Sequence, residues 1–149
     1  MVKKKALSWL TESHIAGLCS ERSFERGRGY FEDGAIRCPV VSDGTLTAEC
    51  EGSGDEGYEV VVHLGKGEIE SASCTCPYDW GGYCKHIVAL LLNWIRRPED
   101  FVSTKDIRSR LEVMSQTDLI ELVLQSARED PRLLHTLCRQ TEQDGAKQG

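Results

Sequence analysis

Between Ser73 and His86 the chain reads Ser-Cys-Thr-Cys-Pro-Tyr-Asp-Trp-Gly-Gly-Tyr-Cys-Lys-His, so two pairs of metal-ligating side chains, Cys74/Cys76 and Cys84/His86, are separated by seven residues. No other segment constrains the fold as tightly, because four such side chains must converge from two short stretches whatever the rest of the chain does. Three thiolates and one imidazole are a recurring tetrahedral donor set for zinc. A set filled entirely by protein is structural, since catalytic zinc keeps one position open for water. Pro77 and Gly81-Gly82 give the intervening loop the turn chemistry to close. A redox Cys-x-Cys pair and unliganded core cysteines are the other readings of these thiols, and neither explains a fourth ligand at matched spacing.

The same spacing dictates local structure. Positions i and i+2 diverge by about 200° on a helix, so Cys84 and His86 cannot both reach one ion from helical turns. Cys84 is expected just before a helix, with His86 in its first turn. The positive end of that helix and the Lys85 ammonium would then both offset the charge of three thiolates.

Seven cysteines are present, and Cys19, Cys38, Cys50 and Cys138 are scattered singly. An odd total without pairing pattern argues for reduced thiols. The opening Met-Val-Lys-Lys-Lys is not followed by the apolar stretch of a secretory signal. The longest apolar run, Ile87 to Ile95, is interrupted by Asn93 and closed by Arg96, Arg97 and Pro98, short of the roughly 20 residues a bilayer requires. The expectation is a cytoplasmic protein with no membrane partner. Formal net charge is -6, and residues 34–73 alone carry -6. Such acidity weakens non-specific attraction to phosphate backbones, so any nucleic-acid contact must be local.

Ile15, Leu18 and Cys19, then Phe24, Tyr30 and Phe31, predict two short helices between Thr11 and Asp33, the first capped by Thr11 and the second weakened by Gly27 and Gly29. From Gly34 to Ser73 the runs Ala35–Val41, Thr45–Glu51, Tyr58–Leu64 and Glu68–Ser73 are divided by turns at Asp43-Gly44 and Gly65-Lys66-Gly67. Their alternation sets Tyr58, Val60, Val62, Ile69 and Ser71 against Glu59, Val61, His63, Glu68 and Glu70, a meander with one wet face. Ile87, Val88, Leu90, Leu91, Trp94 and Ile95 recur at helical spacing and predict an amphipathic helix docked on the sheet and stopped by Pro98. Beyond it, Ser103/Asp106, Ser115/Asp118 and Asp130-Pro131 mark three helix starts. Leu111, Met114, Leu119, Leu122, Val123, Leu133, Leu134 and Leu137 are expected as core faces, and 144–149 as a disordered tail.

The fold class expected is α+β: a small antiparallel β-meander with a zinc-bound strand-loop-helix element, flanked by N-terminal and C-terminal helices. Residues 1–98 would form the zinc-bearing domain and 99–149 a helical extension.

The Cys-x-Cys, spacer, Cys-x-His order of Cys74, Cys76, Cys84 and His86 resembles the SWIM zinc finger, at all four ligand positions. Phe24-Glu25-Arg26-Gly27-Arg28-Gly29-Tyr30-Phe31, Gly57-Tyr58-Glu59-Val60 and Cys84-Lys85-His86-Ile87 also resemble bacterial and archaeal members, and the likeness spans about residues 8 to 97. The resemblance implies a zinc-stabilised ββα-like element that binds DNA or proteins. Such domains accompany helicase-like ATPases, Mutator-type transposases and ubiquitin-pathway proteins.

No phosphate-binding loop, Ser/His/Asp set or paired carboxylates is visible, and His14, His63 and His135 stand alone, so no enzymatic activity is expected. Two functions compete. Lys3, Lys4, Lys5, Arg22, Arg26, Arg28, Lys85, Arg96 and Arg97 would form a local basic face for DNA or another nucleic acid if they converge. Trp80 and Tyr83 would then either stack on bases or shield the metal site. In the alternative, the acidic sheet or the C-terminal helices dock a protein partner, such as a helicase-like ATPase, without nucleic acid.

Overall fold

The computed structural model describes residues 9–52, 57–78 and 81–147. Helix α1 (Glu12–Ala16) starts where the Thr11 hydroxyl accepts the His14 N–H at 3.1 Å, and α2 (Glu21–Glu32) where the Ser20 hydroxyl accepts that of Ser23 at 3.0 Å. Each cap satisfies a backbone donor that a first helical turn leaves unpaired. Helix α2 runs for 12 residues in spite of Gly27 and Gly29. A Cβ on Gly27 would lie 2.4 Å from Val88 Cγ1, so this glycine marks where α2 meets α3 (Lys85–Arg96), and packing there overrides intrinsic propensity.

Strands β1 (Ile36–Ser42), β2 (Thr45–Cys50), β3 (Tyr58–Leu64) and β4 (Ile69–Cys74) form the expected antiparallel meander. The first hairpin turns through Asp43 and Gly44 at φ 46° and 80°, the positive pair of a turn whose twist suits the flanking strands. On β3, Val60 and Val62 are fully buried while Glu59 and His63 face water. On β4 the alternation slips: Leu64 pairs with Ile69 but His63 with Ser71, leaving Glu70 as an extra residue. The bulge exchanges faces, so Ser71 is exposed rather than inward, and Ala72 and Cys74 become the half-buried positions packed on the core.

A short fifth strand, β5 (Val102–Ser103), lies parallel to β1, giving the sheet order β4-β3-β2-β1-β5. Helix α3 crosses this sheet and also packs against α1 and α2. Its residues from His86 to Trp94 are all buried, so it is a central helix covered on nearly every side rather than the one-faced helix the periodicity suggests. Asn93, 6% exposed, is tolerated there because its amide donates to Arg97 O at 3.4 Å and Asp100 Oδ2 at 3.2 Å, in the short 3-10 turn Pro98–Asp100. Phe101 follows, 1% exposed and edge-on to Trp94 at 4.9 Å.

The chain divides into two compact units, residues 1–106 and 107–149. Helix α4 (Thr104–Glu112) runs across the division, and α5 (Gln116–Glu129) and α6 (Pro131–Lys147) belong to the second unit. The three starts read from sequence are in place: Ser103 and Asp106 exchange side-chain to backbone bonds at 3.1 Å each, Ser115 accepts from Asp118 at 3.1 Å, and Asp130 accepts from Arg132 at 3.0 Å. Ala127 is the one buried side chain among the described residues of the second unit, and Leu122, Val123 and Leu134 are 40–44% exposed. The expected leucine core is therefore only partly formed there, because paired helices cover no more than the stripe between them. Helix α6 continues to Lys147, which corrects the disordered tail over 144–147. No helix among the described residues is long and apolar enough to cross a membrane.

Candidate metal centre

Cys74 closes β4, on the core side to which the bulge has turned it. Pairing with β3 continues one residue further, since Thr75 N–H donates to Glu59 O at 3.1 Å and Thr75 Oγ1 accepts Glu59 N–H at 3.0 Å, which holds the chain in place up to Cys76. Cys84 is the N-cap of α3, with extended φ -74° and ψ 167°, and His86 lies in the first turn, as the ligand spacing requires. The spacer turns through Gly81 and Gly82 at φ 86° and 71°, and a Cβ on Gly82 would meet Leu18 O at 2.9 Å. Tyr83 N–H donates to Leu18 O at 3.1 Å. The Tyr78 hydroxyl donates to Gly81 O at 3.2 Å and accepts from Ser23 Oγ at 3.3 Å, so the spacer is tied to α2.

The ligand atoms of Cys74, Cys76, Cys84 and His86 all lie within 4.8 Å of one another. His86 Nδ1 is 3.6 Å from Cys74 Sγ and 3.8 Å from Cys84 Sγ. Bond lengths of about 2.3 Å to sulfur and about 2.0 Å to nitrogen put the edges of a zinc tetrahedron at about 3.5–3.8 Å. The imidazole is 3% exposed, its Nε2 has no hydrogen-bond partner among the described residues, and the rings of Tyr30 and Tyr58 approach it at 5.4 and 4.7 Å. Nδ1 meets two thiol sulfurs at the spacing of ligands around a common ion, and a metal bound to Nδ1 accounts for that spacing. The residues present fit zinc.

Cys84 is already poised for it. The hydrogen bond from Cys74, helped by His86 and by the backbone N–H of Ile87, pushes Cys84 down to about 4 against the opposing effect of burial. The same bond, with burial, holds Cys74 above the ordinary thiol range. The two opposite shifts have one leading cause, the hydrogen bond between the two thiols, which favours the charged form at Cys84 and the neutral form at Cys74. Nearby Cys50 is different: burial, then the charge of Cys84, push it up to about 11, and it lies outside the four-residue cluster. It remains a core thiol.

Three of the four ligands, Cys76, Cys84 and His86, line one cavity of about 640 Å³, which therefore takes in the metal position and extends from it to Arg22, Ser23, Arg26, Tyr58, Pro77, Tyr78 and Lys85. Of the basic residues singled out from sequence, Arg22, Arg26 and Lys85 are the ones among the described residues that meet here. Arg28 is paired with Glu25 and Arg96 with Glu12, while Arg97 lies over the Phe31 ring at 5.4 Å. Lys3, Lys4, Lys5 and Trp80 lie outside the described residues. Tyr83 is half-buried and packs against the core. His63 bonds Thr45 Oγ1 at 2.9 Å on the wet face and His14 packs against Trp9, so neither joins the cluster. Tyr58 and Tyr78 are wall residues that ligand spacing alone does not reveal.

Residues 58–95 match the family model of the SWIM zinc finger. No curated protein and no solved structure matches the chain significantly. The family match and the three-cysteine, one-histidine cluster point to a single structural zinc.

Proposed function

We infer, from a chain that carries a SWIM zinc finger over residues 58–95, that one zinc held by Cys74, Cys76, Cys84 and His86 organises a non-catalytic module that binds nucleic acid. The observation that carries this reading is the cavity that opens from the cluster. In a chain of net charge -6, its lining holds three cations, Arg22, Arg26 and Lys85, and no carboxylate among the described residues. Local positive charge of this kind recognises phosphate despite an acidic surround. Four protein ligands leave zinc no open position for substrate, which supports a structural role without turnover. All seven cysteines are free of disulfides, in keeping with a reducing compartment such as the cytoplasm.

The test is fluorescence anisotropy of labelled single- and double-stranded DNA with the zinc-loaded chain across a salt series. Binding that weakens steeply as salt rises and is lost in Arg22→Gln/Arg26→Gln supports the proposal. Absence of binding at low salt would sink it and favour a protein adaptor. That second reading draws support from Ile120, Leu122, Val123 and Leu134, which are 40–50% exposed in the second unit and suit a partner helix, a helicase-like ATPase included.

A further inference from the structure

We propose that the cavity lined by Arg22, Arg26 and Lys85 takes the terminal phosphate monoester of a nucleic-acid strand rather than an internal phosphodiester. This rests on the nucleic-acid reading above and makes it specific.

The first support is that the two arginines are available. They lie one helical turn apart on α2, both exposed, and no ion pair occupies either one among the described residues, whereas Arg28, Arg37, Arg96 and Arg108 each have a carboxylate. Like charges at this spacing repel slightly, which an anion between them relieves. Lys85, from the first turn of α3, joins them on the cavity wall, its ammonium 4.9 Å from the Tyr30 ring.

The second is charge. Zn²⁺ with three thiolates and a neutral imidazole carries one net negative charge. Among the described residues, three cations around it leave two positive charges uncompensated. An internal phosphodiester supplies one negative charge, while a phosphate monoester carries about 1.5 to 2 near neutral pH. The monoester is the closer match, and guanidinium forks bind its extra oxygens in parallel pairs.

The third is shape and lining. A recess admits the end of a strand more readily than a backbone passing across it. Tyr58 and Tyr78 line the same recess, and aromatic rings accept a terminal base without sequence preference. The Ser23 and Tyr78 hydroxyls already donate to Tyr78 Oη and Gly81 O, so anion binding falls to the cations.

The experiment compares one single-stranded DNA oligonucleotide with a 5′-phosphate, a 3′-phosphate or hydroxyls at both ends, binding the zinc-loaded full chain, with inorganic phosphate and a free mononucleotide as competitors. One of the phosphorylated forms should bind roughly tenfold or more tighter than the hydroxyl form, since a charge-assisted hydrogen bond contributes about 1.5–3 kcal/mol. The preference should disappear in Arg22→Gln/Arg26→Gln while zinc content and thermal unfolding stay unchanged. Equal binding of all three forms overturns the terminal-phosphate claim and leaves the nucleic-acid reading intact. Binding of none at low salt removes both. Inorganic phosphate or mononucleotide binding as tightly as the phosphorylated strand overturns the strand claim, because the site would then serve a small phosphate ester.

Discussion

Replacing Gly27 with alanine should destabilise the protein, although glycine is the poorer helix former. In an open helix the change gains about 1 kcal/mol. Here the new methyl would sit 2.4 and 2.5 Å from the Cγ1 and Cβ of Val88 and 2.9 Å from Lys85 O. Val88 is fully buried and has no space to swing away, and Lys85 O belongs to the first turn of α3. Overpacking of this kind costs about 1–3 kcal/mol, and contacts this short belong at the upper end, so the net is a loss of about 1–2 kcal/mol. Gly29, two residues along the same helix, has nothing within 4 Å of its Cβ position among the described residues outside its own helix backbone, so Gly29→Ala should stabilise by up to about 1 kcal/mol. Urea unfolding of the zinc-loaded protein separates the two, with midpoints moving in opposite directions. If both variants gain stability, the close contact of α2 with α3 is wrong, and with it the account of how α3 presents Cys84 and His86.

Three further outcomes are expected. In the zinc-loaded protein, nitrogen NMR should find the His86 proton on Nε2, with Nδ1 shifted as a metal ligand; a metal on Nε2 would contradict the contacts at 3.6 and 3.8 Å. Phe101→Ala should cost about 3–5 kcal/mol in denaturant unfolding because the ring is 1% exposed against Trp94, and a negligible loss would mean that the segment after Pro98 is not part of the core. Zinc affinity in chelator competition should rise with pH, since binding displaces the proton that Cys74 holds above the ordinary thiol range; an affinity that falls with pH would refute the thiolate site.

The four-residue cluster is legible in sequence because its geometry is short-range: each pair spans three residues and the spacer carries its own glycines. The placement of Cys84 before α3 follows from helical geometry alone. The strands are legible for the same reason, through alternation and hairpin turns. Long-range terms are what strict pattern reading misses. The bulge at Glu70 inverts the face read for β4, and it is this inversion that turns Cys74 rather than Ser73 toward the core side. Gly27 reads as a weak helix position until Val88 is seen beside it. β5 is two residues long and pairs in parallel across the sheet, with no local signature. Of the basic residues, Arg28 meets Glu25 three residues away on its own helix, but only the fold places Glu12 on Arg96 and brings Lys85 to Arg22 and Arg26.

The most direct test of the central claim is metal content by native mass spectrometry on protein expressed without added metal, for the wild type, Cys84→Ser and Cys50→Ala. One zinc per chain in the wild type and in Cys50→Ala, and none retained in Cys84→Ser, is the result these contacts predict. Well-folded wild-type protein that carries no zinc would contradict it.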